Sequence, residues 1–158
     1  DYQIKMKIDK IDWQVRLLKL AQHISGWSKD PSTKVGAVLA TSDAKVISNG
    51  YNGLPVNFDD NLIADREYKI ENVIHAELNC LANMVMKPLN VELYLFVTHS
   101  VCPECAKIIS AHSFIKRVYY VKNEEFEARW NATRTESFFH TANIEYIGIN
   151  SELLNEKQ

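Results

Sequence analysis

Two short segments of the 158-residue sequence carry side chains that together could bind a metal ion and move protons. His75 and Glu77 occur in NVIHAELNC, residues 72–80, an otherwise apolar stretch that indicates the start of a helix. Cys102 and Cys105 enclose the segment CPEC. One histidine and two cysteines suit zinc, and three protein ligands leave the fourth tetrahedral position open for water. The pattern therefore favours a catalytic zinc site.

Glu77 is expected to have a different role from the three ligands. It follows the histidine by two residues, which places the pair on different flanks of a regular helix, although from the first turn both can reach a centre beyond the helix end. Zinc lowers the pKa of a bound water to about 7, and a neighbouring carboxylate can pass that proton to a ring nitrogen and a leaving amine. We therefore expect His75, Cys102 and Cys105 to hold metal and Glu77 to transfer protons.

The predicted secondary structure places both segments at helix starts. The apolar run 93–98 predicts a strand that leads into the two cysteines, and Pro103 suits a first helical position. The positive end of a helix dipole favours thiolates at that point. If the helix starting near His75 packs beside the helix starting at Pro103, all three ligands converge on one point.

The remaining periodicities predict an α/β fold. Helical spacing covers residues 11–27, a β-hairpin covers 35–40 and 45–48, and about twenty polar residues from Gly50 onward are expected to form an irregular binding loop. Later helices are predicted at residues 74–87, 103–112 and 124–141, and later strands at 93–98, 115–121 and 144–149. Strands joined by helices imply a largely parallel sheet with helices on both faces, and residues 1–158 are expected to form one domain.

Composition narrows the possible partners and location. The chain has 18 basic and 20 acidic residues, a net charge of -2, so nucleic acid is not an expected partner. No membrane span or signal peptide is recognised, and a cytoplasmic protein without membrane contact is expected. The 3 cysteines do not form an even-numbered disulfide framework.

A resemblance to the deoxycytidylate (dCMP) deaminase family of the zinc-dependent cytidine deaminase superfamily rests on four segments, SKDPSTKVGAVL, GYNGLP, HAELN and CPECAKII. The H-x-E and P-C-x-x-C signature is that of zinc deaminases. The resemblance spans residues 28 to about 120. It implies a three-layer α-β-α cytidine deaminase-like fold with a central five-stranded mixed sheet and one Zn²⁺ per subunit. The implied reaction is hydrolytic deamination of dCMP to dUMP and ammonia, which supplies thymidylate synthesis.

The resemblance also implies further roles. Asn52 matches an asparagine that touches the substrate sugar or base. Ser28 and Lys29 are the nearest matches for a phosphate contact, and the full set expected at the substrate is Ser28, Lys29, Asn52, Ala76 and His99. His99 is included because it follows a predicted strand at its carboxyl end. The family is similar in forming homo-oligomers, hexamers or dimers, and in binding dCTP or dTTP, with Mg²⁺ as a possible companion, at a second site near Gly50, Tyr51, Asn52 and Gly53.

Two residues depart from the family pattern. Val101 stands where the signature has proline before the first zinc cysteine, which predicts a less rigid strand-to-helix turn that Pro103 partly compensates. Trp27 stands where several members carry an arginine just before SKDP, which weakens the assignment to a monophosphate. The segment after Pro55 lacks the cysteine and histidines of a second zinc site, so one metal is predicted.

Several alternatives stay open at this stage. Cys102 and Cys105 have the spacing of a redox pair, although such a pair would not need His75 and Glu77. A structural zinc site would need a fourth protein ligand. The GYNG segment could simply build a turn. The substrate could instead be a 5-substituted or differently phosphorylated cytosine nucleotide, and the chain could be a nucleotide-sensing or nucleic-acid-binding module on a deaminase scaffold.

Overall fold

The fold alternates helices and strands along the chain. The computed structural model describes residues 5–87, 90–127 and 132–156. The helices are α1 (Ile11–Ser25), α2 (Arg66–Asn72), α3 (Ala76–Ala82), α4 (Pro103–Ser110), α5 (Glu124–Glu127) and α6 (Ala132–Thr141). The strands are β1 (Gly36–Thr41), β2 (Val46–Tyr51), β3 (Leu93–Val97), β4 (Ile115–Lys122) and β5 (Glu145–Asn150). Short 3₁₀ turns cover Lys7–Asp9, Asp60–Ala64 and Ser151–Asn155.

The five strands form one mixed sheet in the order β2-β1-β3-β4-β5. The strands β3, β4 and β5 are parallel, whereas β1 is antiparallel to both β2 and β3. The mixed five-stranded sheet implied by the resemblance is confirmed. The prediction of a largely parallel sheet is wrong at β1, because the hairpin strand lies between β2 and β3. Those two strands still run in the same direction, as a crossover through helices requires.

Helices cover both faces of the sheet, which gives the three-layer arrangement. Leu93, Leu95 and Val97 of β3 pack toward the core that contains residues of α3, α4 and α6. Tyr94 and Phe96, which alternate with them, pack toward the core that contains α1. All five residues of β3 are buried, as expected for a strand covered on both sides. The central strand therefore fixes α3 and α4 on the same face.

Two predictions for the segment between β2 and β3 are wrong. Residues 66–72, expected to be irregular, form α2, whose N-terminus is capped by the Asp65 side chain accepting a hydrogen bond from the Tyr68 amide at 3.1 Å. No residue of α2 is buried, so the sequence offers no apolar stripe that would indicate a helix. The next helix, α3, ends at Ala82 rather than continuing through Val85, which is 96% exposed.

The C-terminal part follows the predicted order. The helix expected over residues 124–141 is seen as α5 and α6, and its residues 128–131 lie outside the described part of the chain. None of the helices formed by the described residues combines the length and the apolar character needed to traverse a bilayer.

Candidate active site

Two helix starts on the same face of the sheet provide the metal-binding side chains. His75 directly precedes α3 and Cys102 directly precedes α4, and both have extended backbones, with ψ angles of 152° and 158°. Pro103 is the first residue of α4, where its missing N–H leaves no hydrogen bond unmade. Cys105 follows one turn later and is also buried. The predicted placement of the ligands at helix starts agrees with the structure.

The three side chains converge. The Nδ1 atom of His75 lies 3.2 Å from the Sγ atom of Cys105 and 3.5 Å from that of Cys102. All three candidate ligand atoms lie within 4.8 Å of one another. Zinc bond lengths place nitrogen and sulfur ligands about 3.6 Å apart in a tetrahedral site. The donor set and spacing therefore fit zinc, and within residues 5–87, 90–127 and 132–156 this group has three members, as a catalytic site requires.

The local electrostatics favour a thiolate at Cys102. A hydrogen bond from Cys105 lowers the pKa of the Cys102 thiol. Burial opposes this shift, and the hydrogen bond to His75 adds to it. The contact with Cys102 and burial raise the pKa of Cys105, so Cys102 loses its proton first. The pKa of His75 is raised, chiefly by its hydrogen bond to Cys102. A cation at this point would replace the shared protons, as metal binding to thiols does.

Glu77 is buried beside this group. It lies in the first turn of α3 and is only 4% exposed, and its carboxyl hydrogen-bonds to the Cys105 thiol. Burial raises the pKa of Glu77, and the nearby His75 partly opposes that rise. A buried carboxyl that holds its proton more tightly than an exposed one is suited to general acid–base chemistry.

The residue before the first cysteine is fixed by two side chains from distant elements. The backbone N–H of Val101 donates to the hydroxyl of Tyr146 at 2.8 Å, and the hydroxyl of Thr135 donates to the carbonyl of Val101 at 2.9 Å. Val101 and Thr135 are both buried. The predicted loss of rigidity at Val101 is therefore offset by residues of β5 and α6. No signal in the local sequence links Tyr146 or Thr135 to this turn.

A cavity of about 200 Å³ opens over the metal-binding group. His75, Glu77 and Cys102 form one part of its wall. Three residues expected to contact substrate also line it, namely Asn52, Ala76 and His99. Thr33, Val35, Val73, Ser100 and Asp30 complete the described lining. The structure thus brings the predicted metal-binding, proton-transfer and part of the predicted substrate-binding residues together.

Asn52 holds the segment before β1 against the end of β2. Its Oδ1 atom accepts a hydrogen bond from the Val35 amide at 2.8 Å. Its Nδ2 group donates to the Thr33 carbonyl at 2.8 Å and to the Asp30 carboxylate at 3.4 Å. These contacts use both Nδ2 hydrogens and one Oδ1 lone pair, so the orientation of the amide at the cavity wall is fixed.

Ser28 and Lys29, expected at the substrate phosphate, do not line the cavity. Ser28 is buried and its hydroxyl donates to the Asn52 carbonyl at 2.7 Å, so it supports a lining residue from behind. The ammonium of Lys29 pairs with Asp60 at 2.7 Å and its side chain is 65% exposed. Substrate contact by either residue stays a prediction.

The cavity wall contains a charged group that the sequence does not indicate. The Oδ1 atom of Asp30 accepts hydrogen bonds from the Ser32 and Thr33 amides at 2.8 and 3.2 Å. The same atom pairs with the ammonium of Lys69 at 3.2 Å, and that ammonium also lies 3.3 Å from the Ser32 hydroxyl. Lys69 belongs to α2, so it could not be placed at the site while that segment was expected to be irregular.

The GYNG segment bends at Asn52 between the end of β2 and a bridge at Gly53, and it does not form a hydrogen-bonded glycine turn. Gly50 and Tyr51 end β2, and Gly53 exchanges backbone hydrogen bonds with Ile74 in an isolated bridge. Among the described residues no glycine has a positive φ angle. The alternative of a simple turn is therefore wrong, and the effector role of Gly50, Tyr51, Asn52 and Gly53 stays a prediction.

Comparison with known proteins adds independent evidence. A family model described as the cytidine and deoxycytidylate deaminase zinc-binding region matches residues 11–122. An uncharacterized deaminase in the luxG 3' region of Aliivibrio fischeri is 35% identical over 147 residues, which cover 90% of this chain and 97% of that protein. The deoxycytidylate deaminase of Mus musculus is 29% identical over 153 residues, which cover 92% of this chain and 84% of that enzyme.

Solved structures of a phage enzyme share the fold. The dCMP deaminase from the cyanophage S-TIM5 in apo form aligns with a TM-score of 0.70 and 27% identity over 89% of this chain and 99% of that chain. Its complex with dCMP and dUMP gives a TM-score of 0.69 and 25% identity, covering 89% and 98% of the two chains.

The sequence match and the geometry agree on the same residues. The matched range includes His75, Cys102 and Cys105, whose ligand atoms converge, and Glu77, which lines the same cavity as His75 and Cys102. The chain therefore belongs to the cytidine and deoxycytidylate deaminase family.

Proposed function

We propose that the chain is a zinc-dependent hydrolase that converts dCMP to dUMP and ammonia. The observation that carries this proposal is the buried carboxyl of Glu77 beside the convergent atoms of His75, Cys102 and Cys105, three of these four residues, His75, Glu77 and Cys102, lining one cavity. The similarity to the mouse deoxycytidylate deaminase and to the phage enzyme in complex with dCMP and dUMP supports the choice of substrate. The product, dUMP, would supply thymidylate synthesis.

The residues of the chain divide the chemistry between them. His75, Cys102 and Cys105 would hold one zinc ion, which when bound supplies an activated water at neutral pH. The Glu77 carboxylate carries two protons in turn. The first comes from the attacking water and goes to the ring nitrogen, and the second comes from the hydroxyl newly bound to C4 and goes to the departing amine. Burial of Glu77 helps it to hold each proton between uptake and delivery, because the charged form is poorly solvated.

Other residues of the cavity position the cytosine and exclude water. Val35, Val73 and Ala76 give the wall an apolar part against which a planar ring can lie. Asn52, fixed by the Val35 amide, the Thr33 carbonyl and the Asp30 carboxylate, presents the second lone pair of its Oδ1 atom to the substrate. Preorientation of this kind lowers the entropic cost of reaching the reactive geometry.

A substrate panel tests the proposal. Purified protein loaded with zinc is incubated with dCMP, dCTP, deoxycytidine and 5-substituted dCMP, and ammonia and the uracil product are measured. The highest kcat/KM is expected for dCMP. Absence of product from every cytosine nucleotide would contradict the proposal, and a preference for dCTP or 5-substituted dCMP would support the alternative substrate.

Assembly, regulation and location are proposed on the same family basis. Trp27 and Tyr51 are exposed, and their rings pack edge to face with centroids 6.2 Å apart. This aromatic pair supports a self-association surface at the β2 edge. We expect a homo-oligomer, to be measured by light scattering.

Binding of dCTP or dTTP with Mg²⁺ near GYNG would appear as a change in kcat/KM when either nucleotide is added. A cytoplasmic location is expected and can be checked by cell fractionation.

A further inference from the structure

The charge of the cavity wall does not by itself suit a nucleoside monophosphate. The described lining contains the carboxylate of Asp30 but no lysine or arginine. A substrate phosphate carries up to two negative charges, and like charges in a partly buried site repel more strongly than in bulk water. A cation from outside the immediate lining is therefore needed if dCMP is to be preferred over deoxycytidine.

Lys69 does not belong to the described lining, but its ammonium contacts a residue of this wall. Its ammonium is 3.2 Å from Asp30, which lines the cavity, and 3.3 Å from the Ser32 hydroxyl. Its side chain is only 15% exposed, so its charge is less screened by solvent than that of a surface lysine. An ammonium has three donor hydrogens, and these two contacts occupy two of them.

The position of Lys69 is set by a capped helix rather than by a free loop. Asp65 caps α2 through the Tyr68 amide at 3.1 Å, and the Lys69 amide donates to the Asp65 carbonyl at 2.9 Å. Lys29, the neighbouring candidate, is 65% exposed and pairs with Asp60, and neither residue belongs to the described lining. Lys69 is therefore better placed than Lys29 to meet an anion at the cavity.

We propose that Lys69, together with the hydroxyl of Ser32, binds the phosphate of the substrate and makes the site selective for a nucleoside monophosphate over the nucleoside. The cation neutralises Asp30 in the empty site and also donates to the phosphate when substrate is present. This inference rests on the proposed function, because it assigns the phosphate contact for the same reaction.

Lys69→Met provides the main test. The measured quantity is the ratio of kcat/KM for dCMP to kcat/KM for deoxycytidine, together with the Kd of dUMP, which needs no turnover. Loss of one charge-assisted hydrogen bond should lower kcat/KM for dCMP by about tenfold or more and weaken dUMP binding to a similar extent. Activity on deoxycytidine should change much less, and Lys69→Arg should recover most of the preference.

The control is Lys45→Met. Lys45 pairs with Asp43 in the turn between β1 and β2 and does not line the cavity, so this variant should keep the wild-type ratio. Lys29→Met tests the competing assignment. A selective loss of dCMP activity in Lys29→Met, with a normal ratio in Lys69→Met, would overturn the proposal.

An Asp30→Asn background separates direct contact from charge neutralisation. If Lys69 binds phosphate, the Lys69→Met change should still lower the dCMP preference when Asp30 is replaced. If the effect disappears in that background, Lys69 acts only by cancelling the Asp30 charge and the proposal is wrong. Thermal unfolding of each variant shows whether the fold is retained. A wild-type protein inactive on dCMP would instead refute the proposed function, and the phosphate assignment would fall with it.

Discussion

The hydroxyl of Tyr146 accepts a hydrogen bond of 2.8 Å from the backbone N–H of Val101, the residue that directly precedes the proposed zinc ligand Cys102. Proline at position 101 would have no N–H to donate, so this contact depends on the departure from the family signature. With Thr135 on the Val101 carbonyl, it fixes both backbone polar groups of the residue before the ligand. Groups that orient metal ligands commonly change metal affinity when they are removed.

Tyr146→Phe is predicted to weaken zinc binding about tenfold, measured by competition with a chelator. Tyr120→Phe is the control, because the ring of Tyr120 stacks on that of Tyr146 with centroids 4.3 Å apart. This variant also loses one hydroxyl, but the hydrogen bond between Tyr146 and Val101 remains. In a Val101→Pro background the Tyr146→Phe change should have little effect on affinity. Equal losses in both backgrounds would show that Tyr146 does not act through the Val101 N–H.

Glu77→Gln is predicted to lower kcat on dCMP by about 10²-fold to 10⁴-fold while zinc content stays at the wild-type value. The amide fills the same buried space but cannot accept and return a proton. Metal analysis and thermal unfolding on the same samples separate loss of chemistry from loss of the site. Turnover near the wild-type rate would contradict the assignment of proton transfer to Glu77.

Gly50→Ala is predicted to destabilise the fold by about 1–3 kcal/mol and to lower activity. A Cβ atom at Gly50 would overlap the Cys80 amide nitrogen and lie 2.7 Å from the Ala76 carbonyl oxygen, so β2 and α3 would have to separate. Gly53→Ala is the matched control, because the nearest atom to its Cβ would be 3.7 Å away, in Tyr51. Chemical denaturation measures both variants, and similar unfolding free energies for the two would contradict this packing explanation.

The stability of the protein is predicted to depend on pH through Asp30. Burial alone would raise the pKa of Asp30, but hydrogen bonds from the Ser32 and Thr33 amides and from Lys69 outweigh it, so the folded-state pKa lies below the ordinary 3.8. The charged form is therefore favoured by folding. Its contribution is fully present above the unfolded-state pKa and is lost as pH falls through the folded-state pKa.

Asp30→Asn tests this dependence. Wild type should exceed the variant by about 1–3 kcal/mol in unfolding free energy at pH 7, and the difference should stay constant down to about pH 5 and shrink below about pH 4. Urea titrations over this range measure it. A difference that grows as pH falls would mean that the pKa of Asp30 is raised by folding.

The sequence predicts the elements that have strong apolar patterns. Residues 93–98 are apolar without alternation, and the corresponding β3 is buried on both faces. By contrast α2 has no buried residue, and its stability comes from the Asp65 cap and neighbouring contacts rather than from an apolar stripe. The antiparallel position of β1 next to β3 depends on where the hairpin inserts, which periodicity does not encode.

The site shows the same division between local and long-range information. His75, Glu77, Cys102 and Cys105 are recognisable because their residue types and spacing have chemical meaning within short segments. Lys69 and Tyr146 are ordinary residues in sequence, and only the tertiary structure places them beside Asp30 and Val101. Ser28 matches a family motif, yet the structure directs its hydroxyl to the backbone of Asn52.

The most direct measurement is the rate of dUMP formation from dCMP while zinc is titrated into metal-free protein. The account predicts no turnover without metal, a linear rise with added zinc, and saturation at about one equivalent per chain, the number that one group of three ligands can hold. Turnover of dCMP that is unaffected by zinc removal, or no dUMP at any zinc ratio, would contradict it.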